Sequence, residues 1–117
     1  MIGFCYGAKV VVYLTSHPEL SSRIKASAVA HAAFLLENEA EQIKRPMLFL
    51  CAETDSTFTE ELKAHYQKVL TANGLGKFFT YPGTVHGFVT RPDGSELSNQ
   101  GSEKAIHDAI EYFNAHL

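Results

Sequence analysis

A cysteine framed by glycines, Gly3-Phe4-Cys5-Tyr6-Gly7, stands almost at the start of the chain and runs straight into the apolar stretch Ala8 to Leu14. The pentapeptide has the form of a nucleophile elbow, a tight strand-to-helix turn that presents a reactive side chain at the first turn of a helix. Such a turn is crowded and its central residue strained, so glycine two positions to either side of the cysteine avoids a clash. The helix N-terminus adds unpaired N–H groups and the positive end of the dipole, which favour the thiolate, the attacking form of the residue. The chemistry on offer is nucleophilic acyl transfer. The same five residues also fit a small turn around a buried structural cysteine, so the choice depends on what the rest of the chain can bring to it.

Two further segments supply partners. The apolar run Met47-Leu48-Phe49-Leu50-Cys51-Ala52 follows Pro46 and ends in Glu53-Thr54-Asp55, which reads as a buried parallel strand delivering an acid at its C-terminal end. Asp55 is the candidate orienting carboxylate. The stretch Lys77-Phe78-Phe79-Thr80-Tyr81 breaks at Pro82-Gly83 and arrives at Val85-His86-Gly87-Phe88, making His86 the candidate base on the next strand-end loop. Nucleophile, acid, then histidine is the chain order of α/β-hydrolases and differs from the orders in chymotrypsin-like and subtilisin-like enzymes.

With those residues in place the chain resembles the dienelactone hydrolases, or carboxymethylenebutenolidases, and most of all their fungal-type relatives. The resemblance is carried by Gly3-Phe4-Cys5-Tyr6-Gly7, by Arg45-Pro46-Met47-Leu48-Phe49 leading to Ala52-Glu53-Thr54-Asp55, by His86-Gly87-Phe88, and by the closing Tyr112-Phe113 to His116-Leu117. It runs from the first residue to the last yet matches only about the C-terminal half of the family's fold. It implies Cys5 as nucleophile, Asp55 as triad acid, His86 as triad histidine, a thioester acyl-enzyme intermediate, and ester or lactone substrates that often carry a carboxylate. One oxyanion donor, the backbone N–H of Tyr6, is present. The other normally comes from a loop that precedes the elbow, and lacking one such donor costs on the order of 100- to 1000-fold in rate.

The family also has a substrate-carboxylate arginine a few residues after the triad histidine. Arg91 is the candidate for it, with an exposed surface charge as the equal alternative, because a planar guanidinium suits bidentate carboxylate binding.

The elements that must position these groups read as an α/β chain. Met1 to Phe4 is the stub of a strand, Gly7 to Thr15 the elbow helix, closed before His17-Pro18, and Lys25 to Ala32 a small-residue strand. Glu37 to Lys44 reads as a solvated polar segment. Thr57 with Glu60 resembles a capping box that starts a helix with Leu62, Tyr66, Val69 and Leu70 on its core face, ended by Asn73-Gly74. A polar loop, Thr90 to Gly101, precedes a closing amphipathic helix whose Ile106, Ile110 and Phe113 are expected to face inward. Alternating strands and helices predict a parallel sheet flanked by helices in three layers, a single partial α/β-hydrolase domain over residues 1–117.

Composition narrows the function classes. A chain of 117 residues with 45% hydrophobic side chains can bury one core. A net charge of -3 and dispersed lysines and arginines offer no basic patch for nucleic acid. No apolar run approaches the roughly 20 residues that span a bilayer, so the chain reads as soluble and cytoplasmic. Cys5 and Cys51 are expected two strands apart, roughly 10 Å, too far for a disulfide, and no spacing suggests a metal or other cofactor. His31 reads as a satisfied polar core residue before a catalytic one, whereas His17, His65, His107 and His116 read as surface or helix residues.

Two other functions stay in view. One is a non-catalytic remnant or fragment whose open sheet edge, expected to be long and apolar, pairs with another chain, as a homodimer or with a missing N-terminal half. The other is a thiol redox protein, which lacks a resolving cysteine within reach.

Overall fold

Every residue of the run Met47–Ala52 is buried, and the alternation of a strand divides it cleanly. Met47, Phe49 and Cys51 join one apolar cluster, and Leu48, Leu50 and Ala52 join the other. This strand, β3 (Met47–Thr54), lies inside a four-stranded sheet with β1 (Ile2–Phe4), β2 (Ser27–Ala30) and β4 (Gly76–Val85), in the order β1-β2-β3-β4. All three pairings are parallel, with Gly3 opposite Val29, Val29 opposite Phe49, and Phe49 opposite Phe78. The computed structural model describes all 117 residues.

Three helices cover the sheet: α1 (Gly7–Ser16), α2 (Glu60–Ala72) and α3 (Glu96–His116), with short 3-10 turns at Leu20–Arg23 and Glu37–Gln42. A sheet that grows in one direction by right-handed crossovers must place its connecting helices on one face. Accordingly Ala8, Val11 and Val12 of α1 share a core with Tyr66 and Leu70 of α2, around stacked Phe49 and Phe78, whose ring centroids are 4.4 Å apart. After β4 the chain turns to the opposite face, where Ala105, Ala109 and Tyr112 of α3 pack on Ala28, Ala30, Leu48 and Leu50. The result is the three-layer α/β arrangement expected from the sequence. No helix is long and apolar enough to cross a membrane.

Four local expectations differ from the structure. The N-cap of α2 is Thr59, whose hydroxyl accepts from the Leu62 N–H, so Thr57 is free for another task. Strand β4 does not end at Pro82-Gly83: pairing jumps from Ala52–Tyr81 to Thr54–Val85, and the intervening bulge is pinned by the Gly83 N–H on Glu53 Oε2 and the Glu53 N–H on Thr84 Oγ1. Pro82 is tolerated because β4 is an edge strand and needs no N–H on its outer side. The polar loop is shorter than expected, since Ser95 caps α3 by accepting from the Ser98 N–H and the helix absorbs residues 96 to 101.

The buried face of α3 also differs. Its small side, Ser98, Gly101, Ser102, Ala105 and Ala109, faces the sheet, while Ile106 and Ile110 are about half exposed. Small residues let the helix approach closely: a Cβ on Gly101 would stand 2.6 Å from Thr84 Cγ2. Close backbone approach to β4 at Tyr81 and Thr84 outweighs the burial of the two isoleucines.

Candidate functional site

At the C-terminal ends of β1, β3 and β4, side chains more than thirty residues apart meet. Cys5 follows β1 directly and adopts φ +54°, a left-handed conformation that costs a non-glycine residue strain and is held here from both sides. Its N–H donates to Ala30 O at 3.0 Å, and its carbonyl accepts from the Ala8 and Ala33 N–H groups, each at 3.1 Å. The sulfur is partly exposed, 2.9 Å from His86 Nε2. His86 Nδ1 in turn lies 2.9 Å from Asp55 Oδ2 and 3.1 Å from Oδ1. An ionised carboxylate only accepts, so Nδ1 carries the proton and donates it to Asp55, which leaves Nε2 as the acceptor facing the Cys5 thiol. This is the connectivity that lets an imidazole take a proton from a nucleophile while its tautomer is held from behind.

Comparison with known proteins gives the chain's family and fold. A family model described as the dienelactone hydrolase family matches residues 1–117. The chain belongs to that family. It is 30% identical over 93 residues to Dienlactone hydrolase 1 of Gibberella moniliformis, covering 77% of this chain and 34% of that protein. It is 26% identical over 119 residues to the hydrolase pyvD of Aspergillus violaceofuscus, covering 99% of this chain and 46% of that one.

Among solved structures, a Klebsiella pneumoniae protein assigned to the dienelactone hydrolases superposes with a TM-score of 0.78 at 17% identity, over 97% of this chain and 50% of that chain. The carboxylesterase Cest-2923 of Lactobacillus plantarum gives 0.67 at 15% identity, over 97% and 57%. At such identities these two report the fold alone. The chain spans between a third and a half of the length of the curated relatives it matches.

Within this dienelactone hydrolase fold the two elbow glycines are not equivalent. A Cβ on Gly3 would stand 2.5 Å from Gly7 O and 2.7 Å from Val11 Cγ2, whereas one on Gly7 would meet nothing within 4 Å. The expectation that both glycines relieve crowding therefore holds for the first only. Gly3→Ala should cost about 1 to 3 kcal/mol and Gly7→Ala much less, a difference that urea unfolding of the two variants measures.

The remaining candidates fall at different distances from the chemistry. Tyr6 has helical φ/ψ at the start of α1, and its N–H donates to no acceptor within the chain, so this donor beside the sulfur is free. Arg91 is exposed and its guanidinium lies over Gly87, with Nη2 3.1 Å from where a Gly87 Cβ would be. It forms no ion pair, which leaves it available beside the histidine loop. Cys51 is a buried strand residue, both cysteines are free, and β2 lies between their strands. Burial pushes the Cys51 thiol up to about 12, the opposite of activation.

His17, His65, His107 and His116 serve local roles. His17 Nδ1, for example, accepts from the Glu19 and Leu20 N–H groups, and His65 pairs with Glu41. The polar segment is more engaged than a bare solvated face, since Glu39 accepts from Lys9 Nζ at 2.8 Å and from the Leu36 N–H at 2.7 Å.

Two residues to which the sequence gives other roles border the site. His31, just past β2, is 1% exposed at φ +36°, with its ring edge-to-face on His86 at 5.2 Å and on Phe88 at 5.8 Å. It is a core residue, yet neither ring nitrogen has a hydrogen-bond partner, so it is not the satisfied polar residue expected. Burial, with the neighbouring His86 adding to it, lowers its pKa to about 4 and keeps it neutral. Thr57, expected at a helix start, has its hydroxyl 2.9 Å from His86 Nδ1 and 2.6 Å from Asp55 Oδ1. A polar β-branched residue two positions after the candidate acid was the available signal, because Asx-type turns bring such a residue back onto the carboxylate.

Proposed function

We propose that the chain carries the nucleophile, base and acid of a hydrolase for carboxylic esters or lactones, working through a Cys5 thioester. The observation that carries this reading is the unbroken contact line from Cys5 Sγ through the His86 ring to Asp55. Cys5 sulfur attacks the carbonyl carbon as His86 Nε2 takes the thiol proton. The negative charge on the carbonyl oxygen is met by the Tyr6 N–H. Collapse breaks the ester C–O bond, and the departing oxygen leaves with the proton from Nε2. Water then attacks the thioester, giving a proton to Nε2; the C–S bond breaks and the sulfur recovers that proton as the acid is released. In a lactone both products remain one hydroxy acid. Arg91 would hold a substrate carboxylate in bidentate fashion. The family to which the chain belongs and the name of the Gibberella relative support the lactone class.

The test is chemical trapping. Mixed with p-nitrophenyl acetate, the protein should gain one acetyl mass on the peptide bearing Cys5, removable by hydroxylamine, and iodoacetamide should label Cys5 well before Cys51 and stop hydrolysis. Hydrolysis that persists after complete Cys5 alkylation would rule the reading out.

A second reading, association through the open sheet edge, is favoured by the partial exposure of Ile2 and Phe4 on β1 and of Met1 just before it, since β1 has no neighbour on its outer side. The edge is short, three residues, where a long one was expected. Pairing with a second copy or with an N-terminal half should show in light scattering as a particle larger than the 12.9 kDa chain; a monomer at micromolar concentration would count against it.

A further inference from the structure

The Asp55 side chain is only 2% exposed, and a buried carboxylate needs donors for its oxygens. His86 supplies one. The others come from Thr57, whose backbone N–H donates to Oδ1 at 2.9 Å and whose hydroxyl lies 2.6 Å from the same oxygen. That hydroxyl is also 2.9 Å from His86 Nδ1 and 3.0 Å from Ala32 O. A threonine hydroxyl has one hydrogen and two lone pairs. Ala32 O and the Asp55 carboxylate can only accept, so the hydrogen goes to one of them, and the lone pairs are left for the His86 Nδ1–H. The carboxylate is the charged and nearer acceptor and takes the hydrogen in the resting state.

We propose that Thr57 is a positioning residue of the site, holding the His86 ring and the Asp55 carboxylate in register. Three features make this more than a turn contact. The hydroxyl touches both members of the acid–imidazole pair, not the carboxylate alone. Thr57 caps no helix, that position belonging to Thr59. Its oxygen also lies 3.0 Å from Ala32 O, which places the side chain against the loop whose next residue, Ala33, donates its N–H to the Cys5 carbonyl. With Thr57 in place the Nδ1 proton has acceptors on two sides, and the imidazole is kept in the tautomer that leaves Nε2 free for the sulfur. Without it the ring is held from one side only.

The inference builds on the Cys5–His86–Asp55 reading, and its test separates the two. In protein labelled with 15N-histidine, the His86 nitrogens should report a proton fixed on Nδ1; Thr57→Val, which keeps the branched shape, should mix the tautomers, and Thr57→Ser should restore the fixed one. This readout needs no turnover and stands whether or not Cys5 is a nucleophile. With an ester substrate, Thr57→Val should lower kcat about 10- to 100-fold with KM nearly unchanged, the cost of a base held slightly out of line, and Thr57→Ser should recover most of it. If the valine variant does not fold, the comparison of Thr57→Ala with Thr57→Ser carries the same prediction. An unaltered tautomer together with an unaltered kcat in the hydroxyl-free variants would overturn the proposal; loss in the valine and serine variants alike would overturn it as well, by assigning Thr57 to packing.

Discussion

Cys5→Ala should bring ester hydrolysis down to the level of the uncatalysed reaction plus residual binding, a loss on the order of 10⁴-fold or more, and His86→Ala should cost nearly as much. The double variant should be no worse than either single one. The reason lies in the 2.9 Å contact between Cys5 Sγ and His86 Nε2: each group does its work through the other, so removing one idles both. Independent contributions would instead multiply. Asp55→Asn should be milder but still large, because an amide can donate a hydrogen where His86 Nδ1 needs an acceptor and so favours the wrong tautomer. The Tyr6 N–H, a backbone group, survives all three substitutions and sets the residual rate. Initial rates on an aryl ester, measured beside circular dichroism to verify folding, check the series. Multiplying losses in the Cys5/His86 pair, or a Cys5→Ala variant that retains its rate, would contradict the mechanism.

Parts of this arrangement were legible because they depend on local rules. The continuous apolar run of β3 announced a strand buried on both faces, and acids or histidines just past such strands must gather at one end of a parallel sheet. That is how residues 5, 55 and 86 could be placed together before any coordinates. What stayed hidden depends on packing between elements. Hydrophobicity favoured Ile106 and Ile110 as the inward face of α3, but close approach of the helix to β4 requires small residues, and a helical wheel weighs size only through hydrophobicity. Thr57 reads as a capping residue because Glu60 stands three residues on, whereas its partners in the fold, His86 and Ala32, are 29 and 25 residues away. The bulge at Pro82-Gly83 was invisible for a similar reason: only a neighbour such as Glu53, 30 residues earlier, keeps the strand going past a proline.

His31 should make the protein measurably weaker in acid than its other titrating groups would. In the unfolded chain an imidazole protonates near pH 6.5, whereas in the folded protein burial first, then the charge of His86, and less so that of Arg91, hold the pKa at about 4 against the opposing pull of the His31 backbone and of Asp55. Above pH 6.5 the ring is neutral in both states and contributes no penalty. As pH falls below that value the unfolded chain binds a proton that the folded chain refuses, so stability drops by up to ~1.4 kcal/mol per pH unit until about pH 4, where the folded form protonates too and the loss is complete at about 3 kcal/mol.

His31→Phe keeps a ring against His86 and Phe88 and has nothing to titrate. The substitution at φ +36° adds strain, but strain shifts stability equally at every pH and leaves the slope alone. Urea unfolding at pH 7 and at pH 4 should therefore show wild type losing about 3 kcal/mol more than the variant across that interval, the other histidines and carboxylates cancelling in the difference. Equal losses in the two proteins would mean that His31 finds a donor or acceptor, and charges in the fold as readily as in the open chain.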